Sequence, residues 1–207
     1  MNKVDAIVSV KWLAEKIAKP PKNFRILDGS WHLPSANRNA RAEYAREHIP
    51  GAMFFDIEAC ADQEATKLDH MLPKPADFET YVGRLGINNN THVVVYDNSD
   101  KFPLFSAQRV WWTFRAFGHQ NISVLEGGLQ KWRKLNNAVT DALEQVPVEK
   151  FTARFNPDMV KSFEEVMTNQ FKDKKFILVD ARPEGRFTGK ASEPRAGATC
   201  SLCLSFM

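Results

Sequence analysis

The strongest constraint on this chain is an internal repeat. A first unit opens with Val8 to Ile17 (VSVKWLAEKI) and Phe24 to Trp31 (FRILDGSW), then continues through further α/β elements to about Leu135. A second opening follows, Val160 to Met167 (VKSFEEVM) and Phe176 to Pro183 (FILVDARP). Phe24 matches Phe176 and Asp28 matches Asp180, at one offset of 152 positions. A repeated supersecondary pattern predicts two copies of one architecture. Only 27 residues follow Asp180. The expectation is therefore one complete copy and one incomplete copy, without the chemistry that belongs to the missing part.

Short apolar runs that end in polar or acidic residues read as buried parallel strands: Arg25–Asp28, Met53–Ile57, His92–Asp97 and Ile122–Leu125. Between the last two, Leu104, Ala107, Trp111 and Phe114 recur at helical spacing. Val110 and Phe117 widen the stripe, with Pro103 near its start and Gly118 at its end. Ser9 is placed to cap a helix that buries Trp12, Leu13 and Ile17. Asp77–Ile87, closed by Gly86, and Gly127–Trp132 read as two more helices. Strands alternating with helices predict an α/β fold, a parallel sheet with helices on both faces. The expected organisation is a complete domain over 8–135, a linker over 136–158 with one extended stretch near Val148–Phe155, and an incomplete second domain over 159–207. In that second copy a helix (Val160–Gln170) and a strand (Phe176–Asp180) precede a polar loop and an atypical tail.

Composition excludes several functions. The 28 basic and 25 acidic residues are interspersed and the net charge is +3, so no nucleic-acid partner is expected. The apolar runs are too short to span a membrane. Lys11, Glu15 and Lys16 interrupt any secretory core near the start, and the segment lacks the Arg-rich pattern of a transit peptide. Three cysteines, at 60, 200 and 203, make no disulfide framework. The expected compartment is the cytoplasm, with the mitochondrion as the alternative. No cofactor is expected, since Gly127-Gly128 is an isolated pair rather than a phosphate loop.

Seven motifs carry a family resemblance: Asp28–Pro34 (DGSWHLP), Tyr44–Glu58 (YAREHIPGAMFFDIE), Asp69–Pro73 (DHMLP), Val94–Asn98 (VVYDN), Ser106–His119 (SAQRVWWTFRAFGH), Val124–Trp132 (VLEGGLQKW) and Val179–Gly189 (VDARPEGRFTG). Together these resemble the two-domain rhodanese sulfurtransferases, which act on mercaptopyruvate or thiosulfate. The resemblance implies two similar α/β domains, the second bearing a reactive cysteine that opens a loop at a helix N-terminus. There the thiolate is stabilised, takes sulfur from a small donor as a persulfide, and passes it to an acceptor. In the first copy the corresponding residue is Asp97, which cannot take that role. The matching loop of the second copy falls beyond residue 207, so little activity is expected of this chain alone. The alternative is a non-catalytic binding or regulatory module, with homotypic pairing to a full-length form.

The resemblance also singles out residues. Arg186 and Arg195 correspond to arginines that grip a donor carboxylate and carbonyl, for which a planar guanidinium is suited. The competing reading for both is a solvated basic loop. His70 resembles a family histidine near the active site, and Glu58 stands where an aspartate is expected beside it. His48 reads as structural. Cys60 reads as an inert thiol. Cys200 is a candidate nucleophile only by its Ala-Thr-Cys context, and with Cys203 it forms a CxxC that lacks further metal ligands. Arg109, Arg115, Lys131 and Arg133 read as solvated helix surface.

Overall fold

The computed structural model describes residues 4–65, 68–102 and 104–192, and the backbone of 204–205. The chain forms two compact units, Met1–Pro157 and Asp158–Met207. In the first, elements follow in the order β1 (Ile7–Val8), α1 (Val10–Ala18), β2 (Phe24–Asp28), α2 (Ala40–Arg46), β3 (Ala52–Phe54), α3 (Pro75–Arg84), β4 (His92–Tyr96), α4 (Ala107–Ala116), β5 (Ile122–Leu125) and α5 (Gly128–Lys134). The five strands form one parallel sheet in the order β1-β5-β4-β2-β3. This is the expected α/β architecture. The edge strand β1 is an addition: a two-residue pairing carries too little periodicity to be seen in sequence.

Both faces of the sheet are covered, which is why its strands are apolar throughout. Leu27, Val93, Val95 and Val124 point to one side and pack with Phe78 and Val82 of α3 and with Val110 and Phe114 of α4. Ile26, Val94 and Tyr96 point to the other, against Leu13 of α1 and Leu129 and Trp132 of α5. Alternation along each strand thus feeds two separate cores.

The helices start where local chemistry allows. Ser9 Oγ accepts the Trp12 N–H at 3.2 Å, and Asn39 Oδ1 accepts the Ala42 N–H at 2.9 Å. Pro75 opens α3 at a position whose N–H has no helical partner. Helix α4 differs. It was expected to begin near Pro103, which lies outside the described residues, and it begins at Ala107.

Of the expected linker 136–158, residues 136–157 fall in the first unit, irregular but packed against its sheet and helices. Thr140 bridges His48 by reciprocal backbone hydrogen bonds of 2.8 and 2.9 Å. Glu149 donates its N–H to Gly83 O at 2.9 Å, an approach so close that a Cβ on Gly83 would lie 2.5 Å from Glu149 O. Phe151 is buried among Phe78, Phe114 and His119.

The second unit holds α6 (Phe163–Thr168), one π-turn (Asn169–Asp173), β6 (Val179–Asp180), α7 (Glu184–Phe187) and β7 (Leu204–Ser205), with β6 and β7 parallel. A capping box between Ser162 and Glu165 starts α6. Phe163, Phe171, Ile177 and Val179 of this unit are exposed.

Candidate functional site

Asp97 directly follows strand β4, and its buried carboxylate governs the loop. Asp97 Oδ2 accepts three backbone N–H groups, from Phe105 at 2.8 Å, Ser106 at 2.8 Å and Ala107 at 2.9 Å. Oδ1 accepts the Ser99 N–H at 3.2 Å. These donors form an anion cradle at the N-terminus of α4. The chain fills the cradle with its own side chain. Asp97 places a carboxylate, not a thiol, at this strand end.

A second cluster grows from the same loop. Ser106 would be the local cap of α4, but its Oγ instead accepts the Trp31 N–H at 3.0 Å. Trp31 stacks on Phe105 and meets His70 edge-on, with ring centroids 5.0 Å apart. The Trp31 indole N–H donates to Glu58 Oε1 at 3.0 Å, and His70 Nε2 stands 3.7 Å from that oxygen. The two residues singled out as a pair are therefore brought together, with Trp31 as a third member. The longer glutamate side chain reaches the histidine but hydrogen-bonds the indole. Trp31 went unread as a site residue because its partner is 27 positions away.

Arg109 corrects the surface reading. It is half-buried, its Nη2 donates to the His70 carbonyl oxygen, and its guanidinium lies 4.8 Å from the centroid of the Trp112 ring. Arg133 is also engaged, in an ion pair with Glu47.

Beside the cluster, Glu43 accepts Arg38 through Oε1 at 2.8 Å and Oε2 at 2.6 Å, and Oε2 also meets His32 and Asn98. The Arg38 hydrogen bonds hold the Glu43 carboxyl below its ordinary range. Beneath the loops, burial raises the Asp28 carboxyl to about 6 despite hydrogen bonds from Ser30 and Tyr96, and the Asp97 charge adds to the rise.

Cys60 is buried, and desolvation pushes its thiol up to about 12, which leaves it protonated and unreactive. His48 is fully buried, with its ring nitrogens 2.7 Å from Tyr44 O and 3.1 Å from Ala142 O, a structural arrangement. Arg186 lies on α7 in the second unit. Arg195, Cys200 and Cys203 lie outside the described residues. Among the described residues, no group of three or more His, Cys, Asp or Glu side chains is arranged to hold a metal ion, and no helix is long and apolar enough to cross a membrane.

A five-stranded parallel sheet with helices on both faces, and a helix-terminal cradle at the end of its central strand, defines a class of α/β domain. The chain belongs to the rhodanese-like domain family, whose model matches residues 9–135. It is 44% identical over 194 residues to human 3-mercaptopyruvate sulfurtransferase, covering 93% of this chain and 64% of that protein. It is 47% identical over 193 residues to bovine thiosulfate sulfurtransferase, with 92% and 64% covered. Among solved structures it is similar to SseA from Escherichia coli, a 3-mercaptopyruvate sulfotransferase, with a TM-score of 0.84 and 36% identity, covering 98% of this chain and 74% of that one. The chain thus spans about 64% of the length of these curated relatives.

Proposed function

We propose that this chain is the scaffold portion of a mercaptopyruvate- or thiosulfate-type sulfurtransferase. Its rhodanese unit supplies fixed walls and polar groups to a sulfur-donor site but not the sulfur-carrying thiol. The observation that carries this reading is Asp97, whose carboxylate occupies the amide cradle that would otherwise stabilise a thiolate or a sulfur anion. Cys60 adds support, as a buried thiol with a raised pKa does not accept sulfur. In this reading Glu58 and His70 border the donor. The expected compartment remains reducing, as in the cytoplasm.

The test is a sulfur-transfer assay of the 207-residue chain, with thiosulfate and cyanide and with mercaptopyruvate and a thiol acceptor. The expected result is no turnover above background. Turnover near that of a full-length relative, abolished by Cys200→Ala, would overturn the reading and assign the sulfur to Cys200.

A second reading, a binding module that pairs with a complete sister chain, is favoured by Ile177 and Val179, which are 73% and 52% exposed. Co-elution with a full-length form on size exclusion supports it; independent elution sinks it.

A further inference from the structure

His70 sits in a backbone conformation that residues with a side chain seldom adopt. Its φ is +60°, in the left-handed region, within the turn that follows Leu68. Such a conformation persists where its surroundings hold it. Here the holding group is the Arg109 guanidinium, which donates from Nη2 to the His70 carbonyl oxygen. Arg109 is braced in turn. It rises from α4, whose first turn is fixed by Asp97, and it packs over the Trp112 ring. The geometry that results is specific: the His70 ring edge lies against Trp31, with Nε2 facing the Glu58 carboxylate.

We propose that Arg109 is a positioning residue for the Glu58–His70 pair. By clamping the His70 carbonyl it keeps the imidazole aimed at the carboxylate and at the Trp31 indole, instead of leaving that aim to an exposed turn. A guanidinium suits the task because it can stack on an aromatic face and still donate in its own plane. The inference rests on the reading that Glu58 and His70 border the donor site.

The experiment reads geometry and requires no turnover. The 207-residue chain and its Arg109→Met and Arg109→Lys variants are treated with diethyl pyrocarbonate, and modification of each histidine is followed by mass spectrometry. His48 and His119, both buried, serve as internal controls. The expected result is that Arg109→Met accelerates modification of His70 roughly ten-fold, the loss of one hydrogen bond from a charged donor. The controls stay unchanged, and Arg109→Lys, which keeps a charged donor but loses the planar stacking group, recovers part of the protection. The Trp31 indole N–H resonance moves in Arg109→Met and returns in Arg109→Lys. An unchanged His70 rate in Arg109→Met overturns the proposal. So does a parallel rise at His48 and His119, which would mark general loosening. A chain that turned over sulfur donors would sink the scaffold reading and leave this result standing.

Discussion

Asp97 Oδ2 lies 2.9 Å from the backbone nitrogen of Ala107, the first residue of α4. The helix is thus capped by a side chain from the loop that leaves β4, and the Ser106 hydroxyl, the local cap, is released to hold Trp31. One carboxylate serves as helix cap, loop clasp and filler of the anion cradle.

Removing that carboxylate is expected to leave buried N–H groups without acceptors. Asp97→Ala lowers the unfolding free energy of the first unit by about 2–4 kcal/mol, and Asp97→Asn, which keeps one acceptor oxygen, by about half as much. Urea denaturation of the two variants measures this. An Ala variant within about 0.5 kcal/mol of the parent would contradict the role.

Asp28 imposes a pH dependence of the less common sign. Its folded pKa of about 6 exceeds the ordinary 3.8 of a solvent-exposed aspartate, the value it takes in the unfolded chain, so between these values the native state binds the extra proton. Stability is therefore fully present below about pH 4, falls as pH rises through about 6, and levels off above it, a loss on the order of 3 kcal/mol. Asp28→Asn is expected to remove that decline, so its stability relative to the parent improves from pH 4 to pH 7. Denaturation midpoints measured across this range decide it; parallel curves for both proteins would refute it.

The docking of 136–157 predicts where a protease cuts. Phe151 is buried against Phe78 and Phe114, so limited proteolysis is expected to leave a resistant core that includes this segment. Phe151→Ala costs about 3–5 kcal/mol of local packing and moves the cut towards Asn136. Mass spectrometry of the fragments reads the boundary. A parent core that already ends near Leu135 would show the docking to be too weak to protect.

Gly128 has φ +53°, and a Cβ there would stand 2.3 Å from Asp97 O. That carbonyl accepts the Leu129 N–H at 2.9 Å, which ties α5 to the end of β4. Gly128→Ala is expected to destabilise the fold by about 2–4 kcal/mol, from backbone strain and displacement of this contact. Thermal unfolding of the variant tests it, and an unchanged Tm would reject it.

Cys60 is expected to resist iodoacetamide in the native chain at pH 8 and to react once urea unfolds it, because burial raises its thiol to about 12. Rapid native alkylation of Cys60 would contradict this burial.

Much of the fold was legible in the residues themselves. Ile26 and Leu27, and the run from Val93 to Val95, announce strands buried on both faces; the spacing of Ala107, Val110, Trp111 and Phe114 announces α4. The motifs identified the family and named Glu58 and His70 among the candidate site residues. These features are encoded locally, because strand and helix periods of burial are written into side-chain order. What the tertiary structure alone decided was which distant groups satisfy one another. Asp97 caps α4 from 10 residues away, Trp31 binds Glu58 across 27, and Arg109 reaches His70 across 39. A carboxylate, an indole or a guanidinium carries no sequence mark of its partner. The partner is settled when the packed sheet and helices bring donor and acceptor within about 3 Å.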